Sequence, residues 1–327
     1  MRSEPGPDER VVPLHLPILI SFVLVLVLVL VLVHAPRSLL VLLVACSAPQ
    51  APAPSPARFT WPPIVDSHVH LAYYPVADKL AEHGVLAAVD LASPERALAT
   101  HYPIEVIAAG PMLTHPGGYP LDAWGSAGFG IGCADAACVK ATIDRLASEG
   151  AGVIKVALDG DGLDPALLPV AVEAAHAHHL RVAVHALSDA SALAAGRAGV
   201  DLLAHTPIEP LAPATIEAWR GRAVISTLAA FGASDSAIDN LRKLRAANVT
   251  VLYGTDLGNL RDDGPSGDEL AALRAAGLDD AAITAAMTTT PIAYWGLHPG
   301  AQLELDGDPR SDASVLVHVR AVRRKRL

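Results

Sequence analysis

The chain has 327 residues, a formal net charge of −10, 52% hydrophobic residues and 18% charged ones. That charge excludes an extended nucleic-acid surface, which needs a basic face. The length and apolar content allow one large α/β domain with small additions, once the apolar N-terminus is set aside.

Residues 1–46 read as a signal or membrane-anchor segment. Leu16 to Val33 is nearly all Leu, Val and Ile, long enough to span or half-span a bilayer. Arg37, an apolar run from Leu39 to Val44 and then Ala45-Cys46-Ser47 follow; small residues before a Cys resemble the lipobox of a bacterial lipoprotein signal. That resemblance implies lipidation of Cys46, export, and a cell-envelope location, lipoprotein-anchored or periplasmic. Two other readings stay open: an uncleaved anchor at 17–33 with an ordinary Cys46, or a true start downstream of Met1. Arg2 and Arg10 against Glu4, Asp8 and Glu9 give a slightly negative leader, which suits neither a signal n-region nor positive-inside anchoring. Residues 47–60, rich in Pro and Ala, read as a tether.

From Ile64 onward short apolar runs alternate with Ala-rich stretches of helical period. The runs are Ile64–His70, Val85–Leu91, Ile104–Ala109, Gly152–Leu158, Arg181–Ala186, Val200–His205, Ala223–Ala229 and Val249–Gly254. Helices are expected at Asp135–Glu149, Pro165–His179, Ser188–Ala198, Pro213–Arg220 and Ser234–Ala247, then at Gly267–Ala276 and Asp279–Thr288, ending at Pro291. Cys133 and Cys138 are close enough to close a small disulfide, though two free thiols fit as well. Eight strands with helices between them over 61–296 specify a (β/α)8 TIM barrel. An open doubly wound sheet would carry a Gly-rich phosphate turn after its first strand, and His68-Val69-His70 stands there instead. Residues 297–327 are expected to form a short C-terminal β appendage from Gln302–Leu305 and Ala313–Val322, with a solvated basic tail, Arg320 to Arg326.

Six side chains carry the chemistry. Alternation along a strand puts His68 and His70 on one face, with Asp66 one step deeper as a supporting partner. Lys155 sits in a strand that should be buried, where a bare ammonium is costly unless paired or modified. His185 and His205 repeat one design, an imidazole ending an apolar run, and Asp256 ends the eighth run with a carboxylate. Imidazoles and carboxylates gathered at strand ends suit a zinc-type ion. His115, Tyr119 and Trp124 lie in a Gly-rich loop over the barrel mouth, where contact with substrate and a plain loop role fit equally well. His176, His178 and His179 form a solvated group at a helix end.

Taken together, Asp66-Ser-His-Val-His70, Ile154-Lys155-Val156, His185, His205 and Gly254-Thr-Asp256 resemble the metal-dependent amidohydrolase superfamily, in particular its imidazolonepropionase-like and prolidase-like members. The resemblance runs from Ile64 to about Val319. It is softer at Gly110-Pro-Met-Leu-Thr114, Gly117-Gly-Tyr119, Thr290-Pro291, Gly296-Leu297 and Leu305-Asp-Gly-Asp-Pro309. It implies two divalent metal ions, zinc by preference, with His68, His70 and Asp256 on one, His185 and His205 on the other, and an N6-carboxylated Lys155 bridging them. It also implies cleavage of a C–N bond, in an amide, cyclic amide or dipeptide, by a metal-activated hydroxide, with Asp256 as the proton carrier. The same centre could instead serve a lactone, carbamate or phosphoester, or remain in a non-catalytic metal-binding envelope protein. The expected partners are a small-molecule substrate and a membrane, not nucleic acid. The chain departs from the family's two-terminus β-sandwich, since only a tether precedes Ile64.

Overall fold

The structure, a computed structural model, describes residues 58–324. The apolar segment 17–33, Cys46, nearly all of the 47–60 tether and the end of the basic tail lie outside the described residues. No helix among the described residues is long and apolar enough to cross a membrane.

Strands β1 to β13 are Phe59–Trp61, Ile64–Val69, Val85–Asp90, Glu105–Ala108, Met112–Thr114, Gly130–Gly132, Val153–Ala157, Arg181–His185, Leu202–Leu203, Ala223–Ile225, Thr250–Leu252, Ala301–Leu305 and Ala321–Arg324. Helices α1 to α9 are Ala77–Glu82, Ala136–Ser148, Leu168–Ala177, Asp189–Ala198, Pro213–Ala218, Asp235–Ala246, Gly267–Ala275, Asp280–Met287 and Thr289–Trp295. The fold is α/β. A seven-stranded parallel sheet runs β11-β10-β9-β8-β7-β5-β6, and a three-stranded parallel sheet runs β2-β3-β4.

Why these runs become parallel strands is visible in their burial. Every residue of β2, β3 and β7 is buried, as expected of strands covered on both faces. The helices between them start on side-chain caps: Asp135 accepts from Cys138 N, Ser188 from Ser191 N, and Ser234 from Ala237 N. Helix α4 stops at Gly199, whose φ of 91° is a left-handed conformation that glycine adopts without a Cβ penalty.

No single ladder traces the closed eight-stranded barrel expected from the sequence. The chain turns just past the third run, at Gly110-Pro111, and a further short strand follows: Gly110 has φ 71° and Pro111 has no N–H to donate. Before the turn, β4 pairs with β3; after it, β5 pairs with β6 and, at Leu113↔Val156, with β7. Individual hydrogen bonds cross between the two sheets. Gly152 N donates to Ala108 O at 2.9 Å, and Ser67 N donates to Tyr253 O at 2.9 Å. His70 N donates to Leu257 O at 2.7 Å, and Asp256 N to His68 O at 2.9 Å.

Other differences are local. The sixth run keeps only Leu202–Leu203 as strand, and α5 stops at Ala218. Beyond the expected end at Pro291, α9 runs to Trp295, with Pro291 in its first turn where a missing N–H costs nothing. Residues 313–316 are a 3₁₀ turn and not a strand. The tether ends earlier than expected, because Phe59–Trp61 pairs antiparallel with β12, which pairs with β13. A three-stranded sheet is thus built from both ends of the described chain. Cys133 and Cys138 are joined as a disulfide.

Candidate metal centre

The centre grows from the ends of the parallel strands. Strand β2 carries His68 and closes on His70, both buried, while Val69 between them packs into the main apolar core. In β7 the register sets Lys155 beside Ala183 and Ala157 beside His185 of the neighbouring strand β8. His205 follows β9, and Asp256 follows β11 in a loop held against β2. All six side chains line one cavity of about 370 Å³, with Met112, Tyr119, Trp124, Leu187, Ala230, Phe231 and Asn259. Side chains 188 positions apart in sequence thereby share one wall.

Within that cavity, one ligand atom each from His68, His70 and Asp256 lies within 4.8 Å of the others. Asp256 Oδ1 is 3.3 Å from His68 Nε2 and 3.1 Å from His70 Nε2. Each ring is oriented by its other nitrogen: His68 Nδ1 donates to Ala204 O at 2.9 Å, and His70 Nδ1 to Ala92 O at 3.3 Å. His205 Nδ1 pairs with Thr227 Oγ1 at 3.0 Å. A backbone carbonyl on Nδ1 fixes the tautomer and leaves the Nε2 lone pair facing the cavity, the arrangement of a metal-ligating histidine. The rings of His68 and His205 are 4.5 Å apart, and those of His185 and His205 are 4.9 Å apart.

Burial favours the neutral form of three of these imidazoles. Burial holds His68 and His205 well below the ordinary histidine value, and brings His185 down to about 4. Burial likewise lowers the Lys155 ammonium to about 7, with Asp256 pulling the other way. For Asp256 burial works upward, yet the neighbouring His68 and His70 hold the carboxylate well below its usual range. Its second oxygen accepts from Asn259 Nδ2 at 2.8 Å.

Of the buried side-chain atoms without a hydrogen-bond partner among the described residues, two belong to the six, His68 Nε2 and Lys155 Nζ. Unpaired buried polar atoms cost about 1–3 kcal/mol each, so two beside a carboxylate mark a place built for something to bind. Imidazole and carboxylate are the donor set of a divalent cation. The residues fit such an ion.

Backbone strain points to the same place. Asp256 has φ 58° and Thr227 φ 39°, both left-handed, where a non-glycine residue is strained. Gly254 is required close by, since a Cβ there would fall 2.4 Å from Ile225 Cγ2 and 3.1 Å from His68 Cβ.

The remaining residues fall into place around the six. Tyr119 and Trp124 line the cavity, but His115 is exposed and lines a neighbouring one with Asp161 and Gly118. Gly117 and Gly118 turn the chain between His115 and Tyr119, so the two do not share a wall. Asp66 does not support an imidazole. Its Oδ1 accepts from His68 N at 3.1 Å and Thr255 N at 3.0 Å, and its Oδ2 from Thr255 Oγ1 at 2.5 Å. It therefore braces the backbone under His68 and Asp256. His176 is engaged with Asp201 at 2.9 Å and His178 with Asp144 at 2.8 Å, both on the surface.

Sequence reading missed Asn259, Phe231, Asp90 and Glu269. Asp90 accepts from Leu71 N and Ala92 N beneath His70, and its position ending an apolar run in the manner of Asp256 was the available signal. Nothing local marked Glu269, a helix residue whose partners are about forty positions away.

No protein-family model and no curated protein matches the sequence. Solved structures match along most of the chain. A Xaa-Pro dipeptidase with methionine bound in its active site is 17% identical, with TM-score 0.69, over 81% of this chain and 85% of that one. The ochratoxinase of A. niger is 20% identical, with TM-score 0.67, over 81% and 82%. A molinate hydrolase is 16% identical, with TM-score 0.61, over 82% of each. At these identities the likeness is one of fold, and this chain shares that fold.

Proposed function

We propose that the chain is a metal-dependent hydrolase of the amidohydrolase superfamily that cleaves a C–N bond in an amide, cyclic amide or dipeptide. One observation carries the reading: six ligand-type side chains, from five parallel strands or the turns that follow them, line a single cavity, with two of their buried atoms unpaired. The fold shared with a dipeptidase, an ochratoxinase and a molinate hydrolase supports it. The two parallel sheets, bonded to each other at both edges, read as one (β/α)8 barrel whose third strand is followed by a turn at Gly110-Pro111 and a further short strand.

His68, His70 and Asp256 would hold one divalent ion, and His185 and His205 a second, with zinc suited to this nitrogen-rich set. Bound there, such ions would lower the pKa of water and polarise a carbonyl. Lys155 Nζ, unpaired in the same cavity, would carry a carboxyl group and so offer oxygen ligands to the metal. Asp256, held ionised by His68 and His70, accepts a proton from a water entering the cavity and delivers it to the departing nitrogen. Asn259 fixes the plane of that carboxylate through Oδ2, leaving Oδ1 on the imidazole side. Trp124 and Phe231 stand in the apolar walls of the cavity beside these ligands. An exported, Cys46-lipidated location is part of the same reading and rests on the sequence of residues 17–46 alone; palmitate labelling lost in Cys46→Ser tests it.

Metal analysis of the purified protein tests the centre itself. We expect two divalent ions per chain. Lys155→Ala should lose at least one of them. Asp256→Asn should retain metal while its turnover falls by about 10²–10⁴-fold, the usual contribution of a positioned proton carrier. Absence of any bound divalent ion would end the reading. Retained metal with turnover of lactones or phosphotriesters but of no amide would keep the centre and replace the bond.

A further inference from the structure

The floor of the cavity is titratable, but its walls are apolar: Met112, Tyr119, Trp124, Leu187, Ala230 and Phe231. Each aromatic ring leans on a different imidazole. Tyr119 stacks on His185 with ring centroids 4.9 Å apart, Trp124 lies 5.2 Å from His70, and Phe231 meets His205 edge-on at 4.9 Å. Behind Trp124 stand Phe129 at 5.4 Å and Tyr73 at 5.7 Å.

The polar handles on these walls are few and neutral. Trp124 Nε1 donates to Tyr119 Oη at 3.1 Å, so the only donor of the indole is spent inside the wall. The Tyr119 hydroxyl keeps its own proton free to donate. Asn259 spends an N–H on Asp256. Among the described residues that line the cavity there is no arginine, and the one lysine, Lys155, sits on the floor among the ligands.

Resting on the hydrolase reading above, we propose that the cavity selects uncharged amides whose arm beside the scissile bond is aromatic or otherwise apolar. It rejects the same arm bearing a free carboxylate. An aromatic arm would lie against Trp124 and Phe231, where ring-on-ring contacts add to the burial of apolar area. A carboxylate on that arm would leave water and meet indole, phenyl and thioether, with no cationic side chain outside the floor to pair it. Specificity here comes from withholding a partner as much as from supplying a contact. A cavity of about 370 Å³ sits at the small end of ligand sites, which favours a single ring.

The experiment is calorimetric titration of the metal-loaded protein with acetanilide and with 4-acetamidobenzoate, which differ only by the carboxylate. Acetanilide should bind at least tenfold more tightly. Trp124→Ala should weaken acetanilide by at least fivefold. Equal affinities, tighter binding of the carboxylate, no binding of either, or acetanilide binding unmoved by Trp124→Ala would each overturn the proposal. Release of 4-nitroaniline from 4-nitroacetanilide, compared with cleavage of Xaa-Pro dipeptides, keeps the two readings apart. Selective binding without hydrolysis of any amide removes the hydrolase and leaves the selectivity. Hydrolysis that favours the dipeptides removes the selectivity and leaves the hydrolase.

Discussion

Lys155 and Glu269 are both charged side chains that water hardly reaches, with relative exposures of 1% and 0%, and they meet the cost of burial differently. Lys155 has no hydrogen-bond partner, so its solution requires something to bind. Glu269 is satisfied by backbone: Oε1 accepts from Leu228 N at 3.1 Å and Oε2 from Ala229 N at 2.7 Å. It thereby pins the start of the turn that carries Phe231 into the cavity wall. Burial still pushes Glu269 up from its ordinary 4.5 to about 7, against those donors. A carboxyl whose folded value is raised contributes stability that is fully present below about pH 4.5 and is lost as pH rises through about 7. Urea denaturation of chelated wild type and Glu269→Gln from pH 4.5 to 7.5 checks this. The stability of wild type minus that of the variant should fall by about 1–3 kcal/mol across that range. A difference independent of pH would refute the assignment.

Between elements, the seam joining β2 to the loop after β11 decides whether the centre assembles. His68 and Asp256 stand on opposite sides of it, and Asp66 bonds both sides through three donors. Gly254 lets the loop come within contact of Ile225 and His68. Removing the brace strands buried N–H groups of His68 and Thr255. Asp66→Ala should therefore cost about 2–4 kcal/mol of stability and reduce metal occupancy, read together by denaturant titration and metal analysis. Full stability with full occupancy would show that the seam holds without it. The turn after the third run matters at this scale too. The turn at Gly110-Pro111 releases residues 115–129 to form the wall bearing Tyr119 and Trp124, and the disulfide of Cys133 with Cys138 ties the end of that segment to α2.

For the whole molecule, a bound divalent ion would link ligands contributed by strands from both ends of the parallel sheets. An unfolded chain scatters those ligands over nearly two hundred residues and binds the ion poorly, so binding stabilises the folded state by mass action. With free ion at 100-fold its dissociation constant the gain is about 2.7 kcal/mol, a shift of about 5–10 °C in melting temperature for a domain of this size. Calorimetric scans with and without a tight chelator measure it directly. Identical midpoints would show that no ion is held by the folded protein.

The sequence by itself determined the α/β class, the helix starts at Asp135, Ser188 and Ser234, and the six ligand-type residues of the cavity. These follow from local rules: apolar period, capping side chains, and polar residues that end buried runs. Tertiary structure alone decided the rest. It added a short strand after the third run, recruited Phe59–Trp61 into a sheet with Ala301–Leu305, turned Asp66 into a backbone brace and moved His115 to a neighbouring cavity. The pairing of Phe59–Trp61 and the bonds from Thr255 to Asp66 depend on partners distant in sequence, set by packing; the turns at Gly110-Pro111 and Gly117-Gly118 are local, but where they send the chain is decided by the fold around them.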